Sequence, residues 1–250
     1  MIRRYLRRAR CRFGGDSQSG CEGWGSAAIV PGLDAVLAQR SAWGTFAGHF
    51  CGNYFWFFLL TWLPMYLVRA RNLSLEAMAV VTAVAYGVMA TATVIAGWVS
   101  DRRIAAGAPP TRVRKSVVVA GLTCSTIILP VAVIQDATAA ITLLLAACIA
   151  FGTYTSNHWA ITQTLAGPLA AGRWTSLQNG VGNLAGIAAP WLTGIVVERT
   201  GSFHLAFVVA AVTALAGALL WGVVVGPVET VDWAAHRPRA RGSGLVSKAR

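Results

Sequence analysis

Charged side chains are scarce in this sequence. Of its 250 residues, 12% are charged and 56% are hydrophobic, whereas about a quarter of the residues of an average soluble domain carry charge. A water-soluble globule of this length would need more polar surface than such a composition supplies. Acidic residues are the rarest, with 9 Asp and Glu against 21 Lys and Arg and a net charge of +12. Since a basic balance is compatible with a nucleic-acid partner or with a membrane, the positions of the charges decide.

Six stretches of the chain contain no Asp, Glu, Lys or Arg: residues 43–68, 77–99, 116–134, 138–165, 174–197 and 204–226. In a helix, about 20 apolar residues cross a hydrocarbon core of about 30 Å, so each stretch is long enough to do so. Their hydrophobicity is continuous rather than alternating, which favours helices over the strands of a barrel. The sequence therefore predicts an all-α membrane protein, with six transmembrane helices in a bundle over residues 41–227.

The basic residues lie mostly on one side of the predicted bundle. The N-terminal end, residues 100–115, residues 166–173 and the C-terminal tail hold 18 of the 21 Lys and Arg residues. Because short cytoplasmic connections are enriched in these residues, we expect both termini in the cytoplasm. Topology thus accounts for the net charge, and no basic stretch is interleaved with aromatic residues, so we expect no nucleic-acid partner.

Both ends differ in composition from the bundle. Residues 1–40 form a basic, Gly-rich leader without the apolar run of a secretory signal. The alternatives for it are a basic arm on anionic lipid headgroups, a flexible linker, or a truncated or misassigned start. We favour the third and expect the leader to be disordered or to come from a truncated start. Residues 228–250 are expected to form a disordered cytoplasmic tail.

Residues for catalysis or metal binding are few. The predicted helices contain no Asp or Glu, and the chain has neither a P-loop nor a G-x-S-x-G turn. Cys11 and Cys21 do not have the spacing of a metal-ligand pair, and Cys51, Cys124 and Cys148 fall on three different predicted helices. We therefore expect no enzyme, no metal site and no cofactor.

Polar residues inside membrane spans are costly, so those of the first predicted helix are informative. His49, Asn53 and Trp56 follow an i, i+4, i+7 spacing and share one face. Beside this face runs a row of small residues that lets another helix approach closely: Gly44, Gly48 and Gly52. A neutral His49 bonded to a neighbouring helix is the alternative to a cavity-lining role.

The fourth and fifth predicted helices also carry polar faces. On the fourth helix, one narrow arc holds Gly152, Ser156, Trp159 and Gln163, and His158 is expected to point elsewhere. On the fifth helix, the aligned residues are Asn179, Gly182, Asn183, Gly186 and Pro190. Two such faces enclose a polar solute with neutral donors and aromatic walls, or else they only join helices.

Three stretches resemble a known family. In GWVSDRRIAAGAPPTRVRK, Gly97 is followed by Asp101 and Arg102, which resembles the Gly-x-x-x-Asp-Arg loop motif of major facilitator transporters. Residues 43–68 with the following NLS, and residues 178–207, resemble the seventh and eleventh helices of the anion:cation symporter branch. That branch includes galactonate, glucarate and hexuronate transporters. The resemblance covers about residues 38–230 and implies the C-terminal six-helix half of such a protein.

The resemblance implies proton-coupled transport of an organic anion, a sugar acid, by alternating access across a bacterial inner membrane. The substrate-facing residues are His49, Asn53, Ser156, Trp159, Gln163, Asn179 and Asn183, of which Gln163 and Asn183 come from helical geometry. Gly97, Asp101 and Arg102 match the gating loop rather than the substrate site.

The same resemblance implies that part of the transporter is missing. In this family the arginine that pairs with the anion and the carboxylates that carry the proton belong to the first bundle, and the predicted helices here have neither. An anion without a counter-charge is disfavoured in a buried cavity. We therefore expect the chain to be inactive alone and to need a separate N-terminal half. The alternatives are a non-transporting fragment or membrane scaffold, and a homodimeric half-transporter formed with a second copy.

Overall fold

The computed structural model describes residues 30–235, and every regular element in that part of the chain is helical. The α-helices are α1 (Leu33–Leu37), α2 (Arg40–Arg69), α3 (Leu75–Ala105), α4 (Pro110–Ser125), α5 (Ala137–Asn183), α6 (Ala185–Thr200) and α7 (His204–Leu219). A 3₁₀ segment, Thr126–Ala132, continues α4, and a π-helical turn, Leu220–Val224, continues α7. The all-α class is thus confirmed.

Five helical runs in the described part of the chain are long and apolar enough to cross a membrane. They are Arg40–Arg69, Leu75–Ala105, Pro110–Ala132, Ala137–Thr200 and His204–Val224. Together they cover all six charge-free stretches except residues 133–134 and 225–226, and the fourth run holds two of these stretches. The structure therefore shows five candidate spans, and the predicted count of six depends on what happens within Ala137–Thr200.

Helix α5 reverses direction at Gly167. That residue has φ 60° and ψ −178°, which is outside the helical region, and Pro168 follows it. Thr162 donates a hydrogen bond of 2.7 Å to Gln178, 16 residues further on, although in a straight helix that separation would be about 24 Å. Residues 137–166 and 168–183 therefore pack side by side. Leu184 has helical backbone angles, so the second part of α5 runs on into α6.

Helix boundaries follow from local sequence. The Ser74 hydroxyl accepts from the Ala77 amide at 3.1 Å, and the Asp136 carboxylate accepts from the Ala139 amide at 2.7 Å. These two side chains satisfy amides that the first turns of α3 and α5 would leave unpaired. Gly201, with φ 64°, ends α6 in the left-handed conformation that glycine adopts at low cost.

The row of glycines on α2 admits its neighbours closely, as the small-residue spacing predicts. A Cβ placed on Gly48 would lie 2.5 Å from the indole nitrogen of Trp221, and one placed on Gly52 would overlap the Tyr154 hydroxyl. α2 therefore lies against both the first part of α5 and the π-helical turn after α7.

Residues 225–235, here named the C-terminal strap, pack against the reversal in α5. Three strap donors bind three consecutive carbonyls: Thr230 to Thr164 at 3.0 Å, Val231 to Leu165 at 3.0 Å and Trp233 to Ala166 at 2.9 Å. Carbonyls at the end of a helical segment lack intrahelical partners, and Pro168 has no amide to offer. The segment assigned to a tail from residue 228 is therefore packed over 228–235. Residues 1–29, with most of the leader, and residues 236–250 lie outside the described part.

Candidate functional site

A cavity of about 520 Å³ lies between α2, α3 and the two parts of α5. Its volume is within the range of small-molecule sites. The wall mixes aromatic rings with hydroxyl, amide and imidazole groups, and none of the described residues that line it is Asp, Glu, Lys or Arg. The cavity therefore offers neutral donors and acceptors to a polar solute.

The polar face predicted on α2 lines this cavity. His49, Asn53 and Trp56 all contribute to the wall, and the Trp56 ring lies 5.5 Å from that of Tyr86 on α3. The second part of α5 comes close because Gly182 faces His49, where any Cβ would overlap the imidazole. The i, i+4, i+7 spacing thus predicted correctly which α2 residues face the same space.

The face predicted on the first part of α5 is only partly in the cavity. Trp159 lines it, whereas Ser156 and Gln163 do not. Ser156 packs against α3, where a Cβ on Gly97 would lie 3.3 Å from its side chain, and Gln163 is exposed. The arc from Gly152 to Gln163 runs about 16 Å along the helix axis, so one cavity meets only part of it.

His158 also lines the cavity, so the expectation that it points elsewhere is wrong. Its ring stacks against that of His49, with centroids 4.9 Å apart and an interplanar angle of 25°. Adjacent residues of a helix point about 100° apart, and the wall is broad enough to include both His158 and Trp159.

The two asparagines of the second part of α5 complete the wall. The Asn183 side-chain amide donates to the Asn179 carbonyl at 2.8 Å and to the Asn179 side-chain oxygen at 3.0 Å. Both asparagines remain exposed. The cavity is therefore open beside residues 168–183. The side-chain amides of Asn179 and Asn183 remain accessible there.

Several polar residues that the sequence pattern did not single out hold the walls together. Thr93 on α3 donates to the carbonyls of Met89 and Gly152, each at 2.9 Å, and so joins α3 to α5. The buried Thr162–Gln178 bond joins the two parts of α5. Only the packing of a neighbouring helical segment reveals these bonds.

The residues predicted to form a gating loop lie away from the cavity, at the end of α3. Asp101 forms an ion pair of 2.9 Å with Arg114 on α4, and Arg102 lies over the Trp98 ring at 5.3 Å. The Asp101 side chain is 68% exposed, so this pair stabilises the fold by less than about 1 kcal/mol. Gly97 packs against Ser156 at the same end of the bundle.

A larger cavity, of about 800 Å³, lies on another face of α3, against α4 and α5. Its wall is mostly aliphatic, and its polar side chains are those of Thr91, Ser100 and Thr153. It offers few hydrogen bonds to a polar solute. The smaller cavity is therefore the candidate site.

Comparison with known families agrees with this architecture. The profile of the Major Facilitator Superfamily matches residues 12–190, more than two thirds of the 250-residue chain. The chain belongs to the Major Facilitator Superfamily. The match begins at residue 12, inside the leader that we expected to lie outside the resemblance.

Relatives within the Major Facilitator Superfamily carry organic anions. The hexuronate transporter of Bacillus subtilis (strain 168) is 33% identical over 181 residues, which are 71% of this chain and 43% of that protein. The probable galactarate/D-glucarate transporter GudP of the same organism is 29% identical over 203 residues, 80% of this chain and 44% of that protein. The sugar-acid branch suggested by the sequence is thus confirmed. The chain spans less than half the length of these relatives.

Solved structures of other transporters share the fold. The peptide transporter POT in complex with sulfate superposes with a TM-score of 0.61 at 17% identity, covering 79% of this chain and 42% of POT. A bacterial homologue of the human lysosomal transporter Spinster gives a TM-score of 0.53 at 14% identity, covering 85% and 50%. At such identities the likeness shows the helical transporter fold alone.

Proposed function

We propose that this superfamily member transports an organic anion of the sugar-acid class, and that the cavity between α2, α3 and α5 forms one wall of the path. The observation that carries the proposal is the meeting of His49 and Asn53 with Trp159, Asn179 and Asn183 around one cavity. Amide and indole groups suit the hydroxyls of a polyhydroxy acid. Relatives that transport hexuronate and, in GudP, galactarate or D-glucarate support the substrate class.

A second wall is part of the proposal. Within residues 30–235, no Lys or Arg lines the cavity, and an anion needs a compensating charge in a site with little water. The cavity is open beside Asn179 and Asn183, where a second six-helix unit would close it. We propose that a separate N-terminal half supplies this wall and the counter-charge, with transport coupled to a proton; a second copy of the chain is the alternative.

We also propose a membrane topology. Residues 137–166 and 168–200 would cross the membrane separately and give six spans, and the fold-back of α5 at Gly167 supports this count. The excess of Lys and Arg on one side supports an inner-membrane protein with both termini in the cytoplasm.

Uptake of labelled D-glucarate and galactonate tests the function. Cells would express the chain alone, or together with the N-terminal half of the Bacillus subtilis hexuronate transporter or a comparable relative. We expect uptake in the paired cells only. Uptake by the chain alone would contradict the need for a second wall, and no uptake in any pairing would favour a non-transporting scaffold. Crosslinking in membranes addresses the homodimer, which requires a stable symmetric pair.

Site variants in the paired cells test the cavity. Trp159→Ala and Asn179→Ala should each raise the substrate concentration for half-maximal uptake by about tenfold, because each removes a hydrogen-bonding group from the wall. Trp191→Ala is the matched control, since this tryptophan is exposed on α6 and does not line the cavity. Unchanged uptake constants for both wall variants would refute the assignment.

A Gln163 variant tests how far the substrate path extends along α5 beyond the cavity. Ser156 is the other residue of this face to be considered. Both were predicted from the sequence, and both lie outside the cavity. A raised uptake constant in Gln163→Ala would extend the path beyond the cavity toward the reversal at Gly167. An unchanged constant would confine it to the wall around Trp159.

A further inference from the structure

Two buried imidazoles lie side by side in the cavity wall. His49 on α2 is 3% exposed and His158 on α5 is 2% exposed, and their ring centroids are 4.9 Å apart. Both residues line the cavity. They are therefore the most basic groups that an anion in this cavity would meet, since no Lys or Arg lines it.

Aromatic rings surround this pair in place of hydrogen-bond partners. The Tyr154 ring stacks on His158 at 4.4 Å, and the Trp159 ring lies 4.9 Å from His49. Within the described residues, no ring nitrogen of either histidine makes a hydrogen bond of ordinary geometry, although the Asn179 side chain approaches His49 and the backbone of Tyr154 and Thr155 approaches His158. Buried polar atoms without partners are costly, so these nitrogens are available to a polar group that enters the cavity.

Among the described residues, no permanently charged side chain faces the pair. The titratable neighbours are Tyr154 on α5, Cys51 on α2 beside Tyr154, and Tyr86 on α3 across the cavity. The second part of α5 contributes only the amides of Asn179 and Asn183, and the π-helical turn contributes the Trp221 indole. An imidazolium without a partner anion is disfavoured in such surroundings. A carboxylate within about 4–6 Å reverses that preference.

We propose that His49 and His158 form one proton site, which takes up a single proton from solvent when the carboxylate of a sugar acid enters the cavity. The proton adds to one ring nitrogen, and the resulting imidazolium donates a hydrogen bond to a carboxylate oxygen, so the occupied pair carries no net charge. A second proton is excluded because two imidazoliums 4.9 Å apart would repel each other strongly. This inference rests on the proposed anion site and names the groups within this chain that couple it to a proton.

The test uses this chain together with the N-terminal half of the uptake experiment, reconstituted in lipid nanodiscs, with ¹⁵N in the histidine rings and asparagine side chains of this chain only. Galactonate is titrated against chloride at equal ionic strength, between about pH 5.5 and about pH 7.5, the range in which imidazoles titrate. The Asn179 and Asn183 amides report binding, and the imidazole nitrogens report protonation. We expect galactonate to convert one buried imidazole to imidazolium. Its affinity should fall by up to about tenfold per pH unit as the pH rises.

Variants identify the site of the proton. His158→Phe keeps a ring against Tyr154 without the nitrogens, and His49→Gln keeps a polar side chain that does not titrate. The double variant should lose the pH dependence of galactonate affinity. His204→Gln is the matched control, because His204 is exposed at the start of α7 and outside the cavity; it should keep the wild-type dependence.

Each outcome separates the two proposals. If galactonate shifts the asparagine amide signals while both imidazoles stay neutral, the proton site is overturned and the anion site stands. A pH dependence that persists in the double variant would place the proton elsewhere and also overturn it. Amides that do not shift at any galactonate concentration would contradict the anion site, and this inference with it.

Discussion

Single glycines determine how closely the helices around the cavity approach. At Gly52 a Cβ would overlap the Tyr154 hydroxyl, whereas at Gly87 on α3 no atom would lie within 4 Å of it. Tyr154 stacks on His158 in turn. A contact on one glycine of α2 therefore affects the position of the cavity wall.

Gly52→Ala should lower the free energy of unfolding by about 1–3 kcal/mol, because the added methyl group forces α2 and α5 apart. Gly87→Ala is the control in open space and should be neutral or slightly stabilising, since alanine favours helix by up to about 1 kcal/mol. Thermal unfolding in detergent, followed by circular dichroism, measures both. Equal midpoints for the two variants would contradict the close approach described here.

The sequence predicted individual site residues unevenly. His49, Asn53 and Trp56 were placed correctly because the spacing on one straight helix fixes which residues share a face. Ser156 fell outside the cavity because a shared arc does not fix the length of helix that a cavity covers. His158 was placed wrongly because a helical wheel gives angles between residues without saying how wide the neighbouring space is.

At the scale of elements, the reversal in α5 organises the site. It brings Asn179 and Asn183 to the same cavity as Trp159, and it depends on a backbone conformation at Gly167 that residues with a side chain rarely adopt. The six charge-free stretches predicted the helical content well. The fourth stretch ends at residue 165 and the fifth begins at residue 174, on either side of the reversal, but hydrophobicity alone does not fix the residue at which the chain turns.

Gly167→Ala should reduce the free energy of unfolding by about 1–3 kcal/mol, since alanine at φ 60° is strained and its Cβ would press on Thr230. Gly172→Ala, one turn further on, has nothing within 4 Å and serves as the control. Denaturation in detergent compares the two. A Gly167→Ala protein as stable as Gly172→Ala would rule out the left-handed conformation.

Two substitutions of Trp233, in the strap, should lower the free energy of unfolding by different amounts. Trp233→Phe removes the bond to the Ala166 carbonyl and should cost about 1 kcal/mol, whereas Trp233→Ala also removes packing against Trp174 and should cost about 3 kcal/mol. Unfolding midpoints of the two variants against wild type provide the measurement. Two variants as stable as wild type would mean that the strap does not stabilise the bundle.

For the molecule as a whole, the charge pattern and the reversal at Gly167 together predict which connections face each side of the membrane. The connections at Gln135 and Ser202 should face away from the cytoplasm, and those at Ala106 and Leu169 should face the cytoplasm. The count of Lys and Arg residues in the connections gives this arrangement only if residues 137–200 cross the membrane twice. The hydrogen bond between Thr162 and Gln178 supports that condition.

Cysteine labelling in intact cells checks this arrangement. Single cysteines would replace Gln135, Ser202, Ala106 or Leu169 in a chain whose native cysteines have been substituted. A membrane-impermeant maleimide should label the first two in intact cells and the other two only after permeabilisation. Labelling of Leu169→Cys in intact cells would show that residues 137–200 do not cross twice in the proposed sense.

The strap is synthesised later than the segment of α5 that it contacts. The carbonyls of Thr164, Leu165 and Ala166 are synthesised well before their partners on Thr230, Val231 and Trp233. At about 5–20 residues per second, the ribosome needs about 3–13 seconds to make the intervening chain. During that interval the reversal in α5 lacks these three bonds. The last described residues of the chain therefore complete a turn that was synthesised some 60 residues earlier.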